Sequence, residues 1–493
     1  MNSSCSVLPF DELPTEIIWH IFAYLDLDTL KSVSLTSRRL ERIFSSYSCF
    51  RFTLFIDDSS RLNLPGDTYV SHGFMESIAK TLRHSKRYYQ KVHLPVQLYS
   101  VLSKELEPNW LQQLVVLNLT MGHDLQNYIT QITVALPKMD YLQELKFIKI
   151  RGTPSAEHFI ELKIENGSLQ RLVLEVMLPS VINCPKLRKL DVGAQLDADT
   201  QFGEQYAQYD GQEPYWKLKQ LEEFRITKHK SIGRRILMQH SPEFKFKFYQ
   251  HLTQLKKLHF YEPPVSEKFL QIICESCLHL EDLFITFLQV IDSNSLCCLS
   301  NLPDLRRLGI WQNNTQELSF ASVNAPKLEN LTLGPVNVVW ESLEQLQSVK
   351  SLCIRMNNFV NRPIPLSFAK RMKQLEFLWI DFFFFANPKI QRKMFQVLEE
   401  LTHLKTLILD HLVQREHSPL IPPLPQVKRL ILYKCYLNRD STFVAGRFPN
   451  VKQVELKVPK CFTWDYEESL YEEIFRLRNH SLVLPSTRCV DSD

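Results

Sequence analysis

The sequence predicts an α/β solenoid, one parallel sheet assembled from short stacked repeats. Three observations carry that prediction. A six-residue pattern, L-x-x-L-x-L with conservative variants, recurs fifteen times between Tyr89 and Leu456 at intervals of about 26 residues. A proline or cysteine precedes many copies, as in "CPKLRKL", "NAPKLENL" and "RFPNVKQV". The first 48 residues carry no such pattern and are instead rich in helical apolar stripes.

The hexamers begin at Tyr89, Leu114, Leu142, Leu169, Leu187, Leu221, Leu255, Leu280, Leu305, Leu328, Val349, Leu375, Leu404, Val427 and Val451. Their period falls in the range of roughly 20–29 residues that marks leucine-rich repeats. In each copy the fourth and sixth residues alternate inward on a short strand while the third, fifth and seventh point outward. No single unit buries its own apolar side, so neighbours bury it jointly. The expected fold is therefore a leucine-rich repeat horseshoe of about 15 irregular repeats. Irregularity follows from the ninth position, where Asn or Cys occurs only as Asn313, Asn357 and Cys435.

Spacing fails at two places. The intervals from Leu187 to Leu221 and from Leu221 to Leu255 each have room for an additional segment, spanning 193–250 together. The first insertion has five acids and no base; the second has six Lys or Arg against one Glu. They read as solvated loops, the alternatives being mutual pairing or a ligand site.

The N-terminal stretch "DELPTEIIWHIFAYL" is apolar on nearly every side of a helix, and such a helix is buried all round. So small a unit needs a partner to fold or to cover it. Pro14 suits the start of the first helix, and Asp28 and Ser37 are placed to cap two more.

Residues 13–40 resemble the F-box, the helical module that binds the Skp adaptor of cullin–RING ubiquitin ligases, through Leu13-Pro14, Glu16-Ile17-Ile18, Ile21-Phe22, Leu25, Leu30, Val33, Leu35 and Arg38-Arg39. The chain departs from that pattern at Thr29, Thr36-Ser37 and Leu40. The repeats are similar to those of F-box proteins. The resemblance implies a three-helix F-box over 8–48, a linker and array cap over 49–88, repeats over 89–460, and a C-terminal cap or tail over 461–493. Leu13, Pro14, Ile17, Ile18, Ile21, Phe22, Leu25, Leu30, Val33, Leu35 and Arg38 would bind the adaptor. An alternative for the N-terminal helices is an end cap for the array, although "CFRFTLFID" from Cys49 could supply that cap as a strand.

A net charge of +4 is too small to argue for nucleic acid or a membrane surface. With no signal peptide, no run of 18 apolar residues, and eleven irregularly spaced cysteines, the expectation is an intracellular protein of cytoplasm and/or nucleus with reduced thiols. Twelve glycines form neither a dinucleotide fingerprint nor a phosphate loop, and no nucleophile or zinc-protease motif is present. Cys274, Cys277, Cys297 and Cys298 are poorly spaced for a tetrahedral metal, and Cys277 reads as a core position. His403, His411 and His417 read as surface or packing residues. No enzyme, cofactor or metal is expected.

What remains is the concave strand face. Outward positions there include Lys257, Tyr261, Phe284, Arg307, Trp311, Arg355, Phe377 and Trp379, expected as an exposed protein-binding surface. Fifteen strands about 4.8 Å apart make an arc of roughly 70 Å, the scale of a protein or long peptide. "DFFFFANP" at Asp381–Pro388 is expected to turn some phenylalanines inward. The tail from Cys461 to Asp493, with a helix capped by Asp465, either closes the array or joins the binding face. The expected function is a non-catalytic substrate receptor of an SCF ubiquitin ligase, or alternatively an interaction scaffold without ubiquitin transfer.

Overall fold

The computed structural model describes residues 10–22, 24–25, 27–46, 52–56, 72–84, 89–105, 111–121, 126–149, 162–175, 179, 181–194, 218–228, 249–261, 265–287, 294–312, 317–334, 337–354, 366–381, 388–412, 421–433, 435 and 446–457. Asn313, Asn357, Arg355, His417, most of the two charged insertions and the tail from 458 onward lie outside the described residues. The chain divides into two compact units, Met1–Gln195 with Tyr209–Leu221, and Leu196–Gln208 with Glu222–Asp493. Among the described residues no helix is long and apolar enough to cross a membrane.

The first unit opens with α1 (Thr15–Phe22), α2 (Leu27–Ser34) and α3 (Arg38–Ser46). The Pro14 carbonyl accepts from the Ile17 and Ile18 N–H groups at 3.0 and 3.1 Å, starting α1. Ser37 Oγ accepts from the Leu40 N–H at 3.1 Å and caps α3 as expected. The helix α2 begins at Leu27, so Asp28 lies in its first turn rather than at the position before it.

Strands β1 (Phe52–Phe55), β2 (Tyr89–Pro95), β3 (Val116–Met121) and β4 (Glu144–Lys149) follow. Next come β5 (Lys163–Glu165), β6 (Arg171–Leu174), β7 (Val181–Asn183) and β8 (Lys189–Ala194). They form a parallel sheet ordered β1-β2-β3-β4-β6-β8, with β5 and β7 pairing separately behind it. The strand expected within "CFRFTLFID" is β1, paired with β2. Burial alternates along β3, where Leu117, Leu119 and Met121 are buried and their neighbours only half-buried, as a one-sided core demands.

The second unit contains β9 (Glu223–Lys228), β10 (Lys257–Phe260), β11 (Asp282–Phe287) and β12 (Arg307–Gln312). They are followed by β13 (Glu317–Leu318), β14 (Asn330–Leu333), β15 (Asn337–Val338) and β16 (Ser351–Ile354). The last are β17 (Phe377–Asp381), β18 (Thr406–Asp410), β19 (Arg429–Tyr433) and β20 (Gln453–Lys457). Ten of these make the parallel sheet β9-β10-β11-β12-β14-β16-β17-β18-β19-β20, in register hexamer on hexamer. All fifteen hexamers thus form strands of leucine-rich repeat solenoids.

The return segments differ from repeat to repeat. The interval from Leu375 to Leu404 returns through a helix, Pro388–Glu400, whereas others return through 3₁₀ turns such as Ser295–Asn301 and Trp340–Gln345. The helix Glu267–Ser276 is capped by Ser266, whose Oγ accepts from the Phe269 N–H at 3.3 Å. Cys277 is buried, as expected of a core position, with Sγ 4.0 Å from the Tyr249 carbonyl oxygen.

Contrary to expectation, the outward face of the second unit's sheet is not open: every residue of β14, β16 and β17 is buried. For part of this face the composition is a reason. Phe377, Trp379, Ile408 and Ile431 occupy outward positions, so β17 to β19 carry apolar side chains on both faces like a doubly covered parallel sheet, while the outward Asn330, Thr332 and Ser351 of β14 and β16 are buried although polar.

Candidate functional site

The helical N-terminus sorts its expected adaptor-binding residues into two sets. Ile18, Phe22 and Leu30 are buried together with Leu40, Ile43 and Phe44, and Leu13, Leu25 and Val33 pack partly against that core. Phe22 meets Phe44 edge-on at 6.4 Å. Leu40, one of the departures, lies inside the core rather than on the surface. Arg39 Nη2 donates to the Leu13 carbonyl at 2.8 Å, tying the start of α3 to the start of α1. Several apolar side chains lie outside that core: Ile17 is 48% and Leu35 83% exposed, with Phe10 and Tyr24 also exposed. Ile21 is half-buried, and Pro14 and Arg38 are exposed. Exposed large side chains on so small a helical module require a cover.

In the second unit, the expected binding residues fall into two buried clusters. Tyr261, Phe284 and Trp311 form one, with ring centroids 4.5 and 5.0 Å apart along successive strands. Trp311 is 2% exposed because its indole lies over Gly334, whose lack of a Cβ makes the space. Phe377 and Trp379 join Cys353, Ile408 and Ile431 in the other. The indole Nε1–H groups of Trp311 and Trp379 are buried and find no acceptor.

Lys257 and Arg307 belong to a charge network centred on Asp282, which is 1% exposed. Arg307 Nη2 is 2.8 Å and Lys257 Nζ 3.6 Å from Asp282 Oδ2, and His259 Nε2 is 3.0 Å from Oδ1. Burial alone would raise the Asp282 carboxyl, yet His259, Arg307 and Lys257 outweigh it and hold the group well below the usual range. Burial lowers His259, against the opposite pull of Asp282. On the other side of the ring the Tyr261 hydroxyl lies 3.2 Å from His259 Nδ1 and can donate its proton to that nitrogen. The network pins Tyr261 at the head of the aromatic row.

A second ionic cluster was not legible as such. Asp381 and Asp410 end β17 and β18 and stand directly opposite in register, both buried. Like charges so placed repel. His411 answers them, with Nδ1 3.2 Å from Asp381 Oδ1 and 2.9 Å from Asp410 Oδ1 and with a left-handed backbone, φ 53°. Burial would lower the imidazole, but hydrogen bonds and charge from both aspartates raise it to about 9. His411 is thus an ion-paired cation and not a mere packing residue, whereas His403 is exposed as expected. The available signal was the recurrence of Asp at the seventh position of consecutive hexamers.

The stacked parallel strands and their returns define a leucine-rich repeat protein. Its residues 10–55 match the F-box-like family model. No curated protein matches the chain. Among solved structures, the TLR13–ssRNA13 complex is similar with a TM-score of 0.42 and 14% identity, over 73% of this chain and 52% of that one. The Drosophila Toll–Spatzle complex gives 0.38 and 12%, over 71% and 45%. A leucine-rich repeat protein of Leptospira interrogans gives 0.27 and 13%, over 79% and 99%. The chain spans about half the length of the first two.

Proposed function

We propose that this protein is the substrate-recognition subunit of an SCF-type ubiquitin ligase, docking on a Skp adaptor through its F-box-like residues 10–55 and holding a protein partner on its repeats. The observation that carries the reading is the exposed pair Ile17 and Leu35, apolar side chains left outside a helical core that is already complete. An apolar helical face laid into a partner's groove is a recurring docking mode. The chain's part in ubiquitin transfer is positional: it raises the local concentration of a bound protein at a ligase whose chemistry resides elsewhere. No catalytic constellation is assigned to it.

The test is co-purification of the full chain with a Skp adaptor and a cullin, beside Ile17→Asp and Leu35→Asp. Both positions are exposed, so each variant keeps the wild-type unfolding profile. Each should weaken adaptor binding by about thirtyfold, the scale of an interface hot spot near 2 kcal/mol. Wild-type protein that binds no adaptor, or variants that bind as well as wild type, would sink the reading and favour a scaffold without ubiquitin transfer.

A further inference from the structure

In the second unit the residue just before each main-sheet strand forms a rung, its N–H donating to the carbonyl of the rung before. From Glu222 to Lys405 the rungs alternate strictly between acid and base, passing through Lys256, Glu281, Arg306, Glu329, Lys350 and Glu376. Three couples close as ion pairs: Lys256–Glu222 at 3.3 Å, Lys350–Glu329 at 2.8 Å and Lys405–Glu376 at 2.7 Å. The alternation then breaks. The next two rungs are Lys428 and Lys452, which continue the same backbone ladder and are exposed. No ion pair is formed by either among the described residues. Lys405, Lys428, Lys452 and His403 line a groove of ≈ 650 Å³ together with Pro425, Pro449 and Val451. Glu376 is the one acid in that lining, and Lys405 already holds it.

We propose that this rim groove docks a carboxylate-rich polypeptide segment of a partner protein, whose Asp and Glu side chains supply the acids missing from the last two rungs. Rungs lie about 4.8 Å apart, so the three lysines span about 10 Å, the length of three or four extended residues. The lining chemistry selects this partner among polyanions. It has no arginine fork for bidentate phosphate recognition and no Phe, Tyr or Trp ring on which a base could stack, the small imidazole of His403 being its single aromatic ring. Lysines beside prolines and a valine suit compact carboxylates on a main chain that needs no specific pairing. The inference does not depend on adaptor binding, because it rests on the repeat rim alone.

The test uses the full-length protein and a short fluorescein-labelled peptide alternating Glu and Gly, followed by fluorescence anisotropy. Lys428→Glu restores the alternation between Lys405 and Lys452, so it should preserve the thermal transition while weakening the peptide by about tenfold, as expected for several exposed contacts replaced by repulsion. Lys186→Glu, an exposed lysine of the first unit, makes the same change in net charge and should leave binding intact. If Lys428→Glu misfolds, Lys428→Ala with Lys452→Ala supplies the same comparison. The proposal is overturned by a wild-type protein that ignores the peptide, by equal loss in Lys186→Glu, or by an equally charged single-stranded RNA that displaces the peptide at lower concentration.

Discussion

Replacing Gly334 with alanine should unseat the aromatic row, and the structure gives the size of the effect. A Cβ built at Gly334 falls 2.2 Å from Trp311 Cδ2 and 2.5 Å from Cε2, well inside contact distance. The backbone has little freedom to retreat, because the Gly334 N–H donates to the Ile310 carbonyl at 2.8 Å. The indole must therefore move, and it is held by Phe284, itself stacked on Tyr261. Overpacking of this kind costs about 1–3 kcal/mol. Trp311→Ala alone should cost about 3–5 kcal/mol as a large buried aromatic lost. In the double variant the added methyl group meets no indole, so the Gly334→Ala penalty should vanish and the pair should couple by about 1–3 kcal/mol. Guanidinium unfolding followed by far-UV circular dichroism, with the midpoint and slope of the second unit's transition compared, reads all four corners of the cycle. Additive losses, or a Gly334→Ala variant within about 0.5 kcal/mol of wild type, would refute the close packing of Trp311 on Gly334.

Further expectations concern buried polar groups. Asn166, 4% exposed, donates from Nδ2 to the Leu136 and Met139 carbonyls at 2.8 and 3.0 Å and accepts from the Ser168 and Leu169 N–H groups. Asn166→Ala leaves those groups unpaired and should cost the first unit about 2–4 kcal/mol, measured by chemical unfolding. Asp282→Ala strands Lys257 and Arg307 without their counter-charge and should cost about 3–5 kcal/mol. His411 is raised above its unfolded value of 6.5 to about 9, so its contribution is complete below pH 6.5 and is lost as pH climbs through about 9. Stability measured across that window should fall in the wild type and much less in His411→Gln; identical pH profiles would contradict the ion triad.

The repeat fold was legible because the hexamer encodes its own geometry. Leu117 and Leu119, or Leu331 and Leu333, sit two apart and must share a face, whatever the rest of the repeat does. The helical N-terminus was legible for a related reason: Ile18 and Phe22 at i, i+4 found the same core. The state of the outward face was not. Period-two reasoning sends Trp311 and Trp379 to the side opposite the leucines, but it says nothing about what lies over that side. Gly334 was invisible as a packing residue because a glycine's role there is the absence of a Cβ beneath a ring that belongs to the preceding repeat. Asn166 stands outside the hexamers, so no repeat position flagged it. The charge ladder needed the register: Glu376 and Lys405 are far apart in sequence and become neighbours only once β17 and β18 pair.

That register also bears on how the second unit can select a partner. With Phe284, Trp311, Phe377 and Trp379 buried, little of their area remains for a partner to desolvate, so they act mainly by fixing the strands that bear the polar groups. Asp282 and His259 are fixed in the same way. Discrimination then falls to side chains still in water, and along the strand-entry rim those are the alternating charges. A paired acid and base such as Lys405 and Glu376 present no net field to an approaching chain, whereas Lys428 and Lys452, with no ion pair among the described residues, do. Exposed charges steer encounter more than they add affinity, and their effect fades with salt. Raising ionic strength should therefore slow association of the carboxylate peptide far more than it speeds dissociation, and stopped-flow anisotropy would separate the two. If salt acted only on dissociation, the lysines would be making desolvated contacts, and the rim would be a closed pocket rather than an open electrostatic guide.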